Sequence, residues 1–189
     1  MATPASSRIM TVPNLVTFLR LLLLGPIIVL YREGHCLAAA ALFLLTMGTD
    51  AVDGWLARRL DQRSALGVYL DPVVDKVVVL VLFYELAHAG MIAFATVHLF
   101  LLRELLQNAV RNVAATRGRV VGANWMGKTK AFLQTLLITV GLLLPGPGTT
   151  GAAAVAAAAW LLVLLSWIFL GIFVKWNWKE VGHGREKIR

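Results

Sequence analysis

Residues 37–76 read LAAAALFLLTMGTDAVDGWLARRLDQRSALGVYLDPVVDK. An apolar run ends in Asp50 and Asp53, a short polar link carries Arg58, Arg59, Arg63 and Ser64, and a second apolar run opens with Asp71 and Asp75. Residues three or four apart on a helix share a face. Asp50 with Asp53, and Asp71 with Asp75, therefore form two one-face pairs, and the short link predicts antiparallel neighbours with all four acids at one end. Charges inside apolar spans are costly and rare. Four carboxylates crowd together only when cations compensate them or some take up protons. Oxygen donors with no Cys or His beside them suit Mg²⁺ or Mn²⁺ better than Zn²⁺. The bland alternative, interfacial acids paired to Arg58, Arg59 and Lys76, leaves that cost without a return.

Outward from this stretch the chain stays apolar. Of 189 residues, 59% are hydrophobic and mean hydropathy is +0.76, above the roughly 45–50% apolar content of soluble domains. A membrane-spanning helix needs about 20 mostly apolar residues, and six such segments are predicted, over 15–31, 37–57, 68–87, 91–112, 125–144 and 151–174. Arg32-Glu33-Gly34-His35, His88-Ala89-Gly90 and Pro145-Gly146-Pro147-Gly148 read as chain reversals between them. Lysine and arginine mark the cytoplasmic side. With the N-terminus inside, all of the 18 Lys and Arg except Arg32 fall on that side. The expected fold is an all-α membrane protein of six transmembrane helices with both termini cytoplasmic, forming a single domain over 1–189. Residues 1–12 precede the first span, where Ile9, Met10 and Val12 beside Arg8 suit a short interfacial helix. Residues 175–189 form a basic tail.

The net charge of +8 and pI near 10.3 point to anionic headgroups and phosphorylated substrates, because the basic residues lie between apolar segments. Nucleic acid is not expected. Cys36, the single cysteine, excludes an intrachain disulfide and a Cys-based metal cluster. The start of the chain is polar and the first apolar run lacks a small-residue cleavage site at its end, so that run is expected to remain in the mature protein. His35, His88, His98 and His183 are scattered and carry no metal-pair spacing. Trp160, Trp167, Trp176 and Trp178 on the last segment suit interfacial anchoring of a packing helix.

The stretch from Asp50 to Asp75 reads D-x2-D-G-x2-A-R-x8-G-x3-D-x3-D, and this resembles the signature of the CDP-alcohol phosphotransferases. Asp50, Asp53, Gly54, Ala57, Arg58, Gly67, Asp71 and Asp75 fill every fixed position. The resemblance implies transfer of a substituted phosphoryl group from a CDP-linked donor to an alcohol, with release of CMP. It also implies two divalent ions, Mg²⁺ or Mn²⁺, on Asp50, Asp53, Asp71 and Asp75, with Asp75 as the base for the attacking hydroxyl. Gly54, Ala57, Arg58 and Gly67 would surround the CDP moiety. Residue by residue, Gly54 and Ala57 equally suit close helix packing. The opening Pro13-Asn14-Leu15-Val16-Thr17-Phe18-Leu19-Arg20 is similar to the family's P-N-x2-T-x2-R, which implies that Asn14 and Thr17 line the nucleotide site. They serve as readily as polar groups at a helix start. Family members also resemble one another in forming homodimers and in working within a membrane, here expected to be a bacterial plasma membrane with the site facing the cytoplasm.

The acceptor is read from later segments. Arg103-Glu104, Arg111 and Gly127-Lys128-Thr129-Lys130 are similar in order to the branch of the family that joins CDP-diacylglycerol to sn-glycerol 3-phosphate. Arg103 and Arg111 lie eight apart, near one helix face, and Lys128 and Lys130 begin the next segment on the same side. Guanidinium forks and ammonium point charges both suit a phosphate, so Arg103, Arg111, Lys128 and Lys130 are the candidate acceptor-phosphate residues. Arg117 and Arg119 fit headgroup contacts. Ala131, where that branch usually carries Thr, and the polar run Gln107-Asn108-Ala109 depart from the pattern. A cardiolipin-forming member with phosphatidylglycerol as acceptor shares much of the layout. A transporter, the rival from another class, also carries intramembrane carboxylates but usually near the midplane and with inverted repeats.

Overall fold

The computed structural model describes residues 12–60, 65–116 and 125–182, with side chains over 18–48, 73–116 and 125–176. Its regular structure is six helices, α1 (Val12–Arg32), α2 (Cys36–Leu60), α3 (Ala65–His88), α4 (Phe94–Thr116), α5 (Trp125–Leu143) and α6 (Ala152–Gly182). Among the described residues there is no strand. Each predicted segment has its helix.

Two of the reversals owe their shape to glycine. Gly34 has φ 83° and Gly90 φ 76°, in the left-handed region where a Cβ is strained. At the first, the Gly34 amide donates to Tyr31 O (3.1 Å) and the His35 amide to Leu30 O (2.8 Å). At the second, Gly90 donates to Ala87 O (3.0 Å) and Met91 to Leu86 O (2.9 Å). This paired pattern is the Schellman cap, which satisfies the last carbonyls of a helix. It also corrects one boundary: Met91, expected to begin the fourth helix, instead closes the end of α3, buried to 1% exposure, and α4 starts at Phe94.

Ion pairs and ring contacts fix the helix directions. Arg20 on α1 meets Asp75 on α3, and further along both helices Arg32 meets Glu85, so α1 and α3 run the same way. Phe83 stacks on Phe100 at 4.9 Å while Lys76 reaches Asn108, so α4 runs against α3. On α5, Lys130 joins Glu104 and Gly141 lies against Leu86, which makes α5 parallel to α3. The chain therefore passes up and down as the alternating basic and non-basic breaks predict.

The buried core gathers Ile27, Phe43, Val78, Phe83, Leu86, Phe100, Ile138 and Leu142. The exterior is apolar as well: Leu22, Leu37, Leu45, Phe132, Leu161 and Leu164 are exposed. Arg20, Glu85, Arg103, Glu104 and Gln134 are buried instead. A surface of leucine around an interior of charge suits a hydrocarbon solvent better than water. Among the described residues, Ala152–Trp176 is the one stretch long and apolar enough to cross a membrane by itself, and Cys36–Gly48 is a shorter apolar stretch.

α5 comes close to α3 at Gly141, where an added Cβ would stand 2.7 Å from a Leu86 methyl. Gly141→Leu is expected to push α5 off α3 and to destabilise the bundle by about 1–3 kcal/mol, the usual scale of overpacking. Thermal unfolding of the purified protein in detergent checks this through a lowered midpoint.

Candidate active site

Asp75 lies on the half of α3 that starts the helix, one turn beyond Asp71 in sequence. Arg20, buried to 2% exposure on α1, donates from Nη1 to Asp75 Oδ1 at 2.6 Å. The Asp75 side chain remains 46% exposed and opens into a cavity of about 340 Å³. Arginine from one helix thus sets the carboxylate of another in the lining of this cavity.

The rest of that lining is rich in cations. Lys76, Arg103, Arg111, Lys128 and Lys130 line the cavity with Glu104, Gln107 and Gln134. On α4, Arg103, Gln107 and Arg111 recur every fourth residue and so share a face, while Leu101, Leu102, Leu105 and Leu106 point outward. On α5, Gly127, Lys130, Ala131 and Gln134 make the matching stripe.

One carboxylate organises three of these cations. Glu104 accepts a hydrogen bond from Arg103 Nη1 at 2.8 Å and one from Lys130 Nζ, and Lys76 Nζ stands 3.7 Å from its other oxygen. Lys76 also donates to Asn108 Oδ1 at 2.5 Å, and Arg103 Nε donates to Ser166 O on α6 at 3.1 Å. Arg111 and Lys128 stand differently. The Arg111 guanidinium lies over the Phe173 ring, 5.8 Å from its centroid, and its buried Nε has no hydrogen-bond partner among the described residues. Lys128 is exposed at the start of α5.

All four predicted acceptor-phosphate residues, Arg103, Arg111, Lys128 and Lys130, share the cavity with Asp75. Asn14, Thr17, Asp50, Asp53, Gly54, Ala57, Arg58, Gly67 and Asp71 lie outside the residues whose side chains are described. Their backbone belongs to α1, α2 and α3. Among the described residues no three His, Cys, Asp or Glu gather into a metal-binding group.

The profile of the CDP-alcohol phosphatidyltransferase family matches residues 10–172. The chain belongs to this family. That match takes in α1 to α5, α6 as far as residue 172, and every cavity residue except Phe173. Among curated members, a probable phosphatidylglycerophosphate synthase of Mycobacterium tuberculosis is 34% identical over 168 residues, 85% of this chain and 79% of that protein. A CDP-diacylglycerol--glycerol-3-phosphate 3-phosphatidyltransferase of Sodalis glossinidius is 36% identical over 69% of this chain and 74% of its own length. The enzyme of the same description from Escherichia coli K12 is 32% identical over 67% and 74%. As a CDP-alcohol phosphatidyltransferase the chain is a transferase, which sets the transporter reading aside.

Sequence reasoning assigned Arg20 to the opening motif and left Lys76, Gln107 and Asn108 without a role. The signal for Gln107 was present as the four-residue polar repeat on α4. Arg20 with Asp75, and Lys76 with Asn108, join residues on different helices, 55 and 32 positions apart in the chain, and no spacing rule reaches across that distance.

Proposed function

We propose that this CDP-alcohol phosphatidyltransferase transfers the phosphatidyl group of CDP-diacylglycerol to sn-glycerol 3-phosphate, giving phosphatidylglycerophosphate and CMP. The observation that carries the reading is that Asp75, Arg111 and Lys128 line one cavity. An acceptor whose phosphate is drawn to the cationic wall brings its hydroxyl toward a carboxylate. The bacterial relatives named for this reaction support the same acceptor.

Asp75 takes the proton of the attacking hydroxyl as the new oxygen–phosphorus bond forms and the bond to CMP breaks. The Arg20 hydrogen bond orients that carboxylate, which matters because a base works only within hydrogen-bond reach of its proton. Arg111 has a planar donor group steadied by Phe173, and Lys128 adds a mobile point charge, a combination suited to phosphate. Arg103 and Lys130 back that wall from within the Glu104 cluster. Asn14, Thr17, Gly54, Ala57, Arg58 and Gly67 are proposed to surround the CDP moiety.

Asp50, Asp53, Asp71 and Asp75 would hold two divalent ions. The donor set fits: Asp75 brings a hard, half-exposed oxygen group to the cavity, and Cys36 lies at the far end of α2, so nothing there favours a softer metal. Mg²⁺ or Mn²⁺, when bound, supplies charge neutralisation at the pyrophosphate and the leaving phosphate.

In this reading the protein is one six-span domain over 1–189 in a bacterial plasma membrane, with both termini and the cavity on the cytoplasmic side, working as a homodimer. The leucine exterior and the charge distribution support the membrane spans and their orientation.

Arg111→Met and Lys128→Met test the phosphate contacts. Each is expected to raise the KM for glycerol 3-phosphate by about tenfold, the lower range for losing one hydrogen bond to a charged group, with the KM for CDP-diacylglycerol unchanged. Steady-state CMP release at varied acceptor and donor measures both. An unchanged acceptor KM in both variants removes the phosphate from this wall.

A further inference from the structure

Glu104 stands where a phosphate-binding wall has least apparent use for a carboxylate. It is 7% exposed, and it touches cations from three helices: Lys76 on α3, Arg103 beside it on α4 and Lys130 on α5. Through Arg103 the cluster continues to the Ser166 carbonyl on α6. The other acid lining the cavity, Asp75, is paired with Arg20. Glu104 is thus the anion of the cationic wall among the described residues.

Before an anionic acceptor arrives, Lys76, Arg103 and Lys130 would otherwise face one another with no counter-charge. Three like charges, Arg103 buried and Lys76 and Lys130 partly so, repel, and an uncompensated buried charge is strongly unfavourable. The wall would relieve this by turning lysines outward or by parting the helices, and either movement displaces Arg111 and Lys128 from their present spacing. A carboxylate accepting bonds from several helices prevents both. It also divides the cations by task, since Arg103 and Lys130 are engaged with Glu104 while Arg111 Nε has no partner among the described residues.

We infer that Glu104 is a positioning residue for acceptor recognition: it clamps Lys76, Arg103 and Lys130 into one interhelical cluster and thereby holds Arg111 and Lys128 at the spacing that receives the acceptor's phosphate. This rests on the glycerol 3-phosphate reading above. Glu104 itself touches neither substrate, and its carboxylate is not a competitor for the phosphate. Its removal therefore weakens acceptor binding even though the cavity gains positive charge.

The test is steady-state CMP release by the full-length protein in detergent with CDP-diacylglycerol and glycerol 3-phosphate, comparing wild type, Glu104→Gln and Glu104→Asp. Glu104→Gln keeps the shape and removes the charge; its acceptor KM is expected to rise about tenfold, a loss of about 1.4 kcal/mol, with the donor KM unchanged. Glu104→Asp keeps the charge but shortens the reach, and is expected to show a smaller rise in the same constant. If Glu104→Gln does not fold, judged by size exclusion and thermal unfolding, Glu104→Asp decides alone. An acceptor KM that is unchanged or lower in the folded variants overturns the inference, as does an equal change in acceptor and donor KM. A wild type that turns over another acceptor but not glycerol 3-phosphate instead overturns the acceptor reading, and this inference with it.

Discussion

Asp75→Asn is expected to leave a folded protein whose CMP release falls by about a thousandfold or more, within or above the range attributed to a single general base. The substitution preserves size and keeps an oxygen that can accept from Arg20, the present partner at 2.6 Å, so the α1–α3 contact survives. What is lost is the ability to take a proton, together with a full negative charge toward the proposed metal pair. A carboxylate with two tasks should show a loss beyond either alone. Arg20→Met separates positioning from chemistry: with the carboxylate intact but unanchored, turnover should fall by a smaller factor than in Asp75→Asn. Size exclusion and thermal unfolding establish that the Asp75→Asn protein is folded. Retained turnover in that folded variant would remove Asp75 from the reaction.

Chelation should produce the other large effect. With excess EDTA, CMP release is expected to fall to background, and added Mg²⁺ or Mn²⁺ should restore it. The expectation follows from the charge problem: Asp50, Asp53, Asp71 and Asp75 stand in one short stretch of sequence, and a pyrophosphate donor adds further negative charge. Without divalent ions those charges oppose one another, and catalysis of phosphoryl transfer depends on positioning and electrostatic stabilisation. Zn²⁺, which prefers nitrogen and sulfur ligands in closed sites, should restore little. Full activity after exhaustive chelation would contradict the metal reading while leaving the cationic wall untouched.

Much of the fold was legible because its signals are local. Apolar runs of helix length, broken by Gly34 and Gly90, place the helices, and both glycines adopt the left-handed conformation that such breaks require. The basic residues gave the alternation of direction that the Arg20–Asp75 and Arg32–Glu85 pairs display. Met91 was misplaced because an apolar residue that caps a helix looks the same in sequence as one that begins the next. In the cavity, Arg103, Arg111, Lys128 and Lys130 were legible as cations on one side, and they do line one cavity. Their division of labour was not. Glu104 follows Arg103 directly in the chain, which suggests simple neutralisation, whereas its bond to Lys130 depends on how α4 meets α5. Asn108, a departure from the family's pattern, is accounted for by the same packing, since it receives Lys76 from α3.

The most direct test of the proposed reaction is CMP release by purified protein supplied with CDP-diacylglycerol, Mg²⁺ and a panel of acceptors: glycerol 3-phosphate, inositol phosphate, serine and phosphatidylglycerol. Release with glycerol 3-phosphate, accompanied by phosphatidylglycerophosphate as the lipid product, is the expected result. Release with one of the other three and none with glycerol 3-phosphate would contradict it.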